Sequence, residues 1–459
     1  MRLNVVLRYM GLMLLLNAGF MLLSACISLF NNFDTGFYPL LLSFLLTSVL
    51  GVFPLIFVPK GEQISTKEGY GIVVGSWLAA CMAGMMPYML WGGEFSLINA
   101  WFESVSGYTT TGSTILNDVE ALPNGMMFWR SATHWLGGVG VVMFALVVLP
   151  ASGAQNKMKL SHMELSSMAK DNYRYKILHI LLVVYVGLTF VQTVLLRIAG
   201  MDWFDAVNNS FSTIATGGFS TKNLSIAYYN NVWIEIIITL FMAVSGLHFG
   251  LIFATLTGKG NNVFRSEVSR YYLLSLLVGG LVTAFALWAD DTYPTFLMSL
   301  RYGLFQIVSV ASTTGFATAD SSVWPGLAIM MIILFSMQCA CAGSTAGGIK
   351  CDRVLLSFKA IKAQILQLQH PNAIIRVKMN GMIQDNNIVN RAVLFIFFYI
   401  MFVVAGVIII TMFGVDLMTS FGVTIASMGN VGPGLGEVGS LDNYHMLPAG
   451  VKFICTVLM

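Results

Sequence analysis

A short pattern recurs four times along this chain and constrains its architecture more than any other feature. Val308–Thr318 is small and hydroxyl-rich, with Thr313, Thr314 and a single Gly315. Three other stretches overlay on it: Ser104–Ile115 with Thr110, Thr111 and Gly112, Phe211–Thr221 with Thr216, Gly217 and Gly218, and Ile425–Leu435 with Asn430, Val431 and Gly432. Aligned on Gly112, Gly218, Gly315 and Gly432, the register holds upstream, with Ser106, Ser212, Ser309 and Ala426 six residues before the glycine. The glycines are spaced 106, 97 and 117 residues apart. Repeats at such intervals report architecture. The pattern predicts four half-helices, each followed by an extended glycine turn, arranged around one pore.

The medium follows from composition. Apolar residues fill 57% of the 459 positions, charged residues 10%, and mean hydropathy is +0.77. A soluble domain carries about a quarter charged residues, so the chain reads as an all-α polytopic membrane protein. Its apolar runs lack the period-two alternation of a β-barrel. The first, Gly11 to Phe30, can span and has no small-residue cleavage pattern, so it reads as a retained helix rather than a signal. Cys26, Cys81, Cys339, Cys341, Cys351 and Cys455 lie in or beside apolar runs and read as small buried hydrophobes, not as a metal cluster.

The chain divides into a two-helix start, 1–68, with helices expected at 10–30 and 39–59, and four units at 69–150, 151–258, 259–366 and 367–459. Each unit is a spanning helix, a short re-entrant segment and a second spanning helix. The expected pairs are 70–91 and 126–149, 177–198 and 232–256, 271–289 and 326–349, and 390–413 with a last helix from Leu447. The segments before the glycines are about 10–14 residues, too short to cross the bilayer. They should dip in and return, which backbone tolerates only when buried in protein or lining a wet cavity. The result is two N-terminal helices plus four pseudo-symmetric helix–pore loop–helix units around one pore. The last helix runs only 13 residues, from Leu447 to Met459, and reads as truncated.

Charge sets the expected orientation. With the N-terminus in the cytosol, the inner segments 1–9, 60–69, 151–176, 257–270 and 350–391 hold 19 of the 24 Lys and Arg, as the positive-inside rule requires. The glycine loops then enter from outside. Fourteen of the 21 acidic residues fall on the outer side, among them Asp34, Glu94, Glu103, Asp118, Glu120 and Glu437. A negative vestibule would concentrate cations; outer loops that simply lack lysine would look the same.

A cation crossing a narrow filter must shed water, and backbone carbonyls can replace it without the deep trap of a carboxylate. Glycine permits the backbone this needs, and the half-helices would aim their partly negative ends at the cavity. The competing reading is four packing turns with no ion path. Further on, Cys341 to Lys350 contains Ala342, Gly343, Ser344, Thr345, Ala346, Gly347 and Gly348, which should break the helix that carries it. Such a break inside the filter is a candidate gate; close small-residue contact between helices is the alternative. Phe128 to Gly140 carries Arg130 and His134 one turn apart. Intramembrane charge usually has a partner or a role; here a structural ion pair with an outer carboxylate is expected, with Arg130 able to snorkel. No nucleophile–base pair or phosphate loop is present, so the chain does not read as an enzyme.

The four loops, the run 342–350 and Trp129-Arg130-Ser131-Ala132-Thr133-His134-Trp135-Leu136-Gly137-Gly138 resemble the TrkH branch of the bacterial Trk/Ktr/HKT potassium transporters over nearly the whole chain. The resemblance implies potassium uptake across the bacterial inner membrane by a homodimer with one pore per subunit. It implies a cytosolic, nucleotide-binding TrkA gating ring below the pore, lipid around it, no nucleic acid and no bound organic cofactor. The family's filter maps onto Thr110–Gly112, Thr216–Gly218, Thr313–Gly315 and Asn430–Gly432, and its intramembrane loop onto Ala342–Gly348, with Lys350 beside it. Four filter glycines go with potassium there, and a serine at the first with sodium; Gly112 matches the potassium case. An arginine further along the family's last helix has no counterpart in this sequence. A sodium-permeable member of the same fold and an ion-coupled secondary transporter remain as alternatives, though the paired inward ionisable residues expected of the latter are missing.

Overall fold

A computed structural model describes residues 2–58, 65–148, 167–258 and 262–459. Nearly all of their regular secondary structure is helical. Six helices are long and apolar enough to cross a membrane, or seven if one bent pair counts as a span. The surface is apolar: Val49, Phe53, Ile56, Phe397 and Ile408 are all exposed. An exposed apolar area of this extent marks a protein solvated by lipid.

Helix α1 (Leu3–Phe30) packs along α2 (Phe37–Phe57), and also against α3 (Thr66–Gly84) and α6 (Asn124–Val148). A capping box at Ser65 and Glu68 starts α3. Its run breaks at Met85, where Pro87 opens α4 (Met86–Trp91) because proline fits only a first turn. The remaining helices are α5 (Leu97–Tyr108), α7 (Ser167–Ile198), α8 (Trp203–Ile214), α9 (Val232–Ser245), α10 (Phe249–Leu256), α11 (Glu267–Ala289), α12 (Phe296–Ala311), α13 (Gly326–Met337), α14 (Cys351–Gln369), α15 (Asn386–Thr411), α16 (Leu417–Gly429) and α17 (Ala449–Leu458).

Two classes of helix result. The long ones α2 and α15 show most of their apolar side chains to the outside. The short ones α5, α8, α12 and α16 have 12 to 16 residues, roughly 18–24 Å at 1.5 Å per residue. They are buried and hydroxyl-rich: Ser104, Ser106, Ser212, Thr213, Ser309, Ser420, Thr424 and Ser427 have no exposure. Hydroxyls and close backbone contacts hold this interior, since lipid supplies no hydrophobic drive between helices.

Two expected helices differ. The stretch 232–256 is not one continuous helix but α9 and α10, bent by 106°. Gly246 ends α9, and the His248 side chain caps α10 by accepting from the Gly250 N–H. The stretch 326–349 is helical only to Met337; residues 338–350 form a loop whose ends pair as parallel two-residue strands, β1 (Gln338–Cys339) and β2 (Ile349–Lys350). Lys60, Lys157, Lys159 and Lys259 lie outside the described residues.

Helix α6 reaches the interior through Gly137, where a Cβ would overlap the carbonyl oxygen of Tyr108 at the end of α5. Gly137→Ala should therefore lower stability by about 1–3 kcal/mol, the usual range for overpacking. Gly19→Ala on α1, where nothing lies within 4 Å, should be neutral or stabilising by up to ~1 kcal/mol. Thermal unfolding of the two purified variants in one detergent checks the contrast.

Candidate functional site

The four short helices begin and end alike. Ser96, Asp202, Thr295 and Asp416 cap α5, α8, α12 and α16 by accepting from backbone N–H groups of their first turns. At the other ends, the N–H groups of Thr110, Thr216, Thr313 and Asn430 donate to Gly107, Thr213, Val310 and Ser427 at 3.0–3.2 Å. The next N–H groups, of Thr111, Gly217, Thr314 and Val431, donate to Ser106, Ser212, Ser309 and Ala426 at 2.8–2.9 Å. These paired bonds are the Schellman ending, which needs a left-handed residue at its first position. The φ angles there are 56°, 56°, 59° and 53°. Three of those residues are threonine, a β-branched type for which this conformation is strained by about 1–3 kcal/mol, and strain of that kind collects at functional sites.

Two residues on, Gly112, Gly218, Gly315 and Gly432 take φ of 83°, 84°, 79° and 91°. The four turns close on one another. A Cβ on Gly112 would overlap the carbonyl oxygen of Gly217 in the second turn; on Gly218, that of Thr314 in the third; on Gly315, that of Val431 in the fourth. On Gly432 it would run into the carbonyl oxygen of Thr111, back in the first. The residue before each glycine thus presents its carbonyl to a neighbouring glycine, and the cycle is complete. Side chains brace it. Ser106 and Ser309 hydroxyls donate to the carbonyls of Ser113 and Phe316, seven residues on, at 2.7 and 2.6 Å. Asn430 Nδ2 donates to Thr109 O at 2.7 Å, and Tyr444 Oη to Gly432 O at 2.8 Å.

The loop 338–350 lies against this ring. Thr345 Oγ1 donates to Ile214 O at 3.2 Å and stands 3.1 Å from Thr216 Oγ1. The Gly347 N–H donates to Thr313 Oγ1 at 3.1 Å, and a Cβ on Gly347 would press on Asn430. Three of the four left-handed residues therefore touch the loop, and the fourth turn's Asn430 reaches the first. The loop is buried and internally bonded. Ser344 Oγ donates to Cys341 O at 2.7 Å, the Ala342 N–H to Asp352 Oδ2 at 2.6 Å, and Lys350 Nζ to Ala346 O. It is also stitched to the bend between α9 and α10: the Cys341 N–H donates to Gly246 O at 3.0 Å, and the Phe249 N–H to Gly343 O at 3.2 Å. Each broken helix thus satisfies the other's freed backbone groups. Sequence reasoning missed this partner: a single Gly246 between two apolar runs is compatible with an unbroken helix, and its place against residue 341 is not readable from the chain.

The acidic residues expected on the outer side divide. Asp118, Glu120, Asp202 and Glu437 are exposed, and the Asn223 amide, 2.8 Å from Asp118 Oδ1, holds the Asp118 carboxyl below the usual carboxylate range. Glu103 is not part of such a surface; it has no exposure and pairs with Arg130 at 2.8 Å. Arg130 does not snorkel either, being 2% exposed. No group of three or more potential metal-ligating side chains occurs among the described residues.

The family model described as TrkH, a cation transport protein, matches residues 41–278 and 296–447. The chain belongs to the TrkH family. It is 32% identical over 468 residues to the Trk system potassium uptake protein TrkH of Halomonas elongata, covering 100% of this chain and 96% of that protein. It is 32% identical over 464 residues to the protein of the same name from Escherichia coli K12, covering 99% and 95%. The crystal structure of the potassium transporter TrkH from Vibrio parahaemolyticus superposes with a TM-score of 0.90 at 28% identity, over 100% of this chain and 96% of that one. Membership makes this TrkH-family chain a multi-pass membrane transport protein and not an enzyme.

The loop's hold on the ring is testable without transport. Thr345→Val removes the bonds to Thr216 and Ile214, each worth about 1 kcal/mol. Backbone amides of 343–348 should then exchange with deuterium roughly thirtyfold faster, while those of α12 keep their protection.

Proposed function

We propose that this chain carries potassium into a bacterial cell across the inner membrane, with the ring of four glycine turns as its selectivity filter. The observation that carries the reading is the closed cycle of carbonyls from Thr111, Gly217, Thr314 and Val431. Carbonyl dipoles can take over an ion's hydration shell. The Schellman bonds occupy earlier carbonyls of each short helix and leave those at the ring free. The C-terminal ends of all four short helices meet there, adding partial negative charge. The units 69–150, 151–258, 259–366 and 367–459 each supply one turn, and the glycine at the first position, Gly112, fits potassium rather than sodium. Uptake is the direction named for the relatives, and the positive-inside count supports a cytosolic N-terminus.

The loop 342–348 is the gate, held here against the filter. Releasing it breaks the three bonds at Thr345 and Gly347, about 1 kcal/mol each. Converting a pore from 99% shut to 99% open takes about 5.5 kcal/mol of bias, which a cytosolic TrkA-type ring acting on a homodimer would supply. Lys350 and Arg353 are poor handles for it: Lys350 turns to Ala346 O, and Arg353 lies 3.8 Å over the Phe395 ring. Lys362, Arg376 and Lys378 are exposed and free to meet an acidic surface.

Gly112→Ser and Gly315→Ser should each cut the potassium-over-sodium ratio roughly tenfold, about 1.4 kcal/mol, in flux into proteoliposomes. An unchanged ratio in both would remove the ring as the filter. Deleting 343–348 should raise potassium flux in the absence of partner and leave the ratio unchanged. A folded deletion variant no faster than its parent would show that the gate lies elsewhere.

A further inference from the structure

The run from Trp129 to Gly138 on α6 has no part in the ring itself, yet its side chains reach two of the four turns. Arg130 Nε donates to Glu103 Oε1 at 2.8 Å. One terminal nitrogen donates to Thr114 Oγ1 at 3.2 Å, just past the first turn, and the other to Ser220 O at 3.4 Å, just past the second. Glu103 accepts in addition from Thr114 Oγ1 and from the Ile115 N–H, both within 3.1 Å. One buried ion pair therefore joins the backbones that leave turns one and two.

Between them stands Phe219, the residue after Gly218. The Arg130 guanidinium lies 4.1 Å from the centroid of its ring. On the ring as well lies the His134 imidazole, stacked with centroids 4.1 Å apart and planes inclined by 17°. His134 Nδ1 is 3.3 Å from Ser212 Oγ, and a Cβ on Gly217 would overlap the imidazole. In turns one and three the serine six residues before the glycine braces its own turn; in turn two Ser212 faces His134 instead. Turn two is thus held by α6 where turns one and three are held by their own serine hydroxyls.

We propose that Arg130 and His134 are positioning residues for the filter. By gripping Phe219 and backing Gly217 they fix the carbonyls of the second turn, and through Glu103 they lock its spacing to the first. This rests on the reading of the ring as a filter. A guanidinium desolvated on an aromatic face is a strong contact, and the number and placement of coordinating carbonyls are what a filter of this kind uses to prefer one ion. Sequence alone favoured a merely structural ion pair here; the stacking on Phe219 is what gives the pair a reach into selectivity.

The test compares potassium and sodium flux into proteoliposomes for Phe219→Leu and for the double variant Glu103→Gln/Arg130→Gln, which removes both charges together and leaves none unpaired. Both should lower the potassium-over-sodium ratio roughly tenfold. The control is Glu235→Gln/Arg301→Gln, which deletes the bidentate pair between α9 and α12, with bonds of 2.6 Å; it should reduce the yield of folded protein without moving the ratio. Should Phe219→Leu not be recovered from the membrane, the double variant reads the same quantity. If folded Phe219→Leu and the double variant keep the parent ratio while Gly218→Ala shifts it, α6 is scaffold only and the proposal is overturned. If the control pair shifts the ratio as much, the effect is general loosening, and the proposal is likewise overturned. If Gly218→Ala also leaves the ratio unchanged, the filter reading itself fails and takes the inference with it.

Discussion

Lipid cannot hydrogen-bond a peptide group, and the buried irregular stretches among the described residues are arranged around that fact. Four helices end inside the molecule. Each ending is paid for locally, by Schellman bonds that satisfy the carbonyls six and five residues before the glycine, or their equivalents in turn four. The carbonyls of Thr111, Gly217, Thr314 and Val431 come together at the ring, where an ion can take the place of a donor. A buried liability thereby becomes a candidate binding site.

The same constraint links the two broken helices. Residues 338–350 leave the α13 ladder, and residues 246–248 leave that of α9. Neither break would be tolerable alone in the interior. Cross-bonding between Cys341 and Gly246, and between Phe249 and Gly343, resolves both. A loop held this way is ordered but not committed: its contacts with the ring are two hydroxyls and one N–H. Motion of α10 would reach it through those backbone bonds, which gives the neighbouring unit a physical route to the loop.

Charge is used sparingly inside. Arg130 and Glu103 are nearly or wholly without exposure and are mutually neutralised, since breaking a buried pair leaves one costly charge behind. Arg301 and Glu235 repeat the device at the junction of α9 and α12, nearer the surface. The two pairs differ in what lies beside them. Phe219 next to Arg130 leads straight into a turn; Tyr302 beside Arg301 stays on its own helix.

Sequence by itself determined the medium, the repeat and its register. A charged fraction of 10% demands lipid, and the threonine or asparagine two residues before each glycine marks the left-handed position that the backbone later takes. The break at 342–348 was legible because three glycines cannot hold a helix there. The bend at Gly246 was not, because one glycine between apolar runs is compatible with an unbroken helix; its bonding partner lies almost a hundred residues away in the chain. Glu103 reads as an outer acid by position and becomes a buried one only when Arg130 is brought beside it. The closing of four turns into a cycle likewise belongs to tertiary structure. Local bonding shapes each turn, but which carbonyl faces which glycine depends on how the lipid-facing helices crowd the short ones together, and no single stretch of sequence encodes that distance.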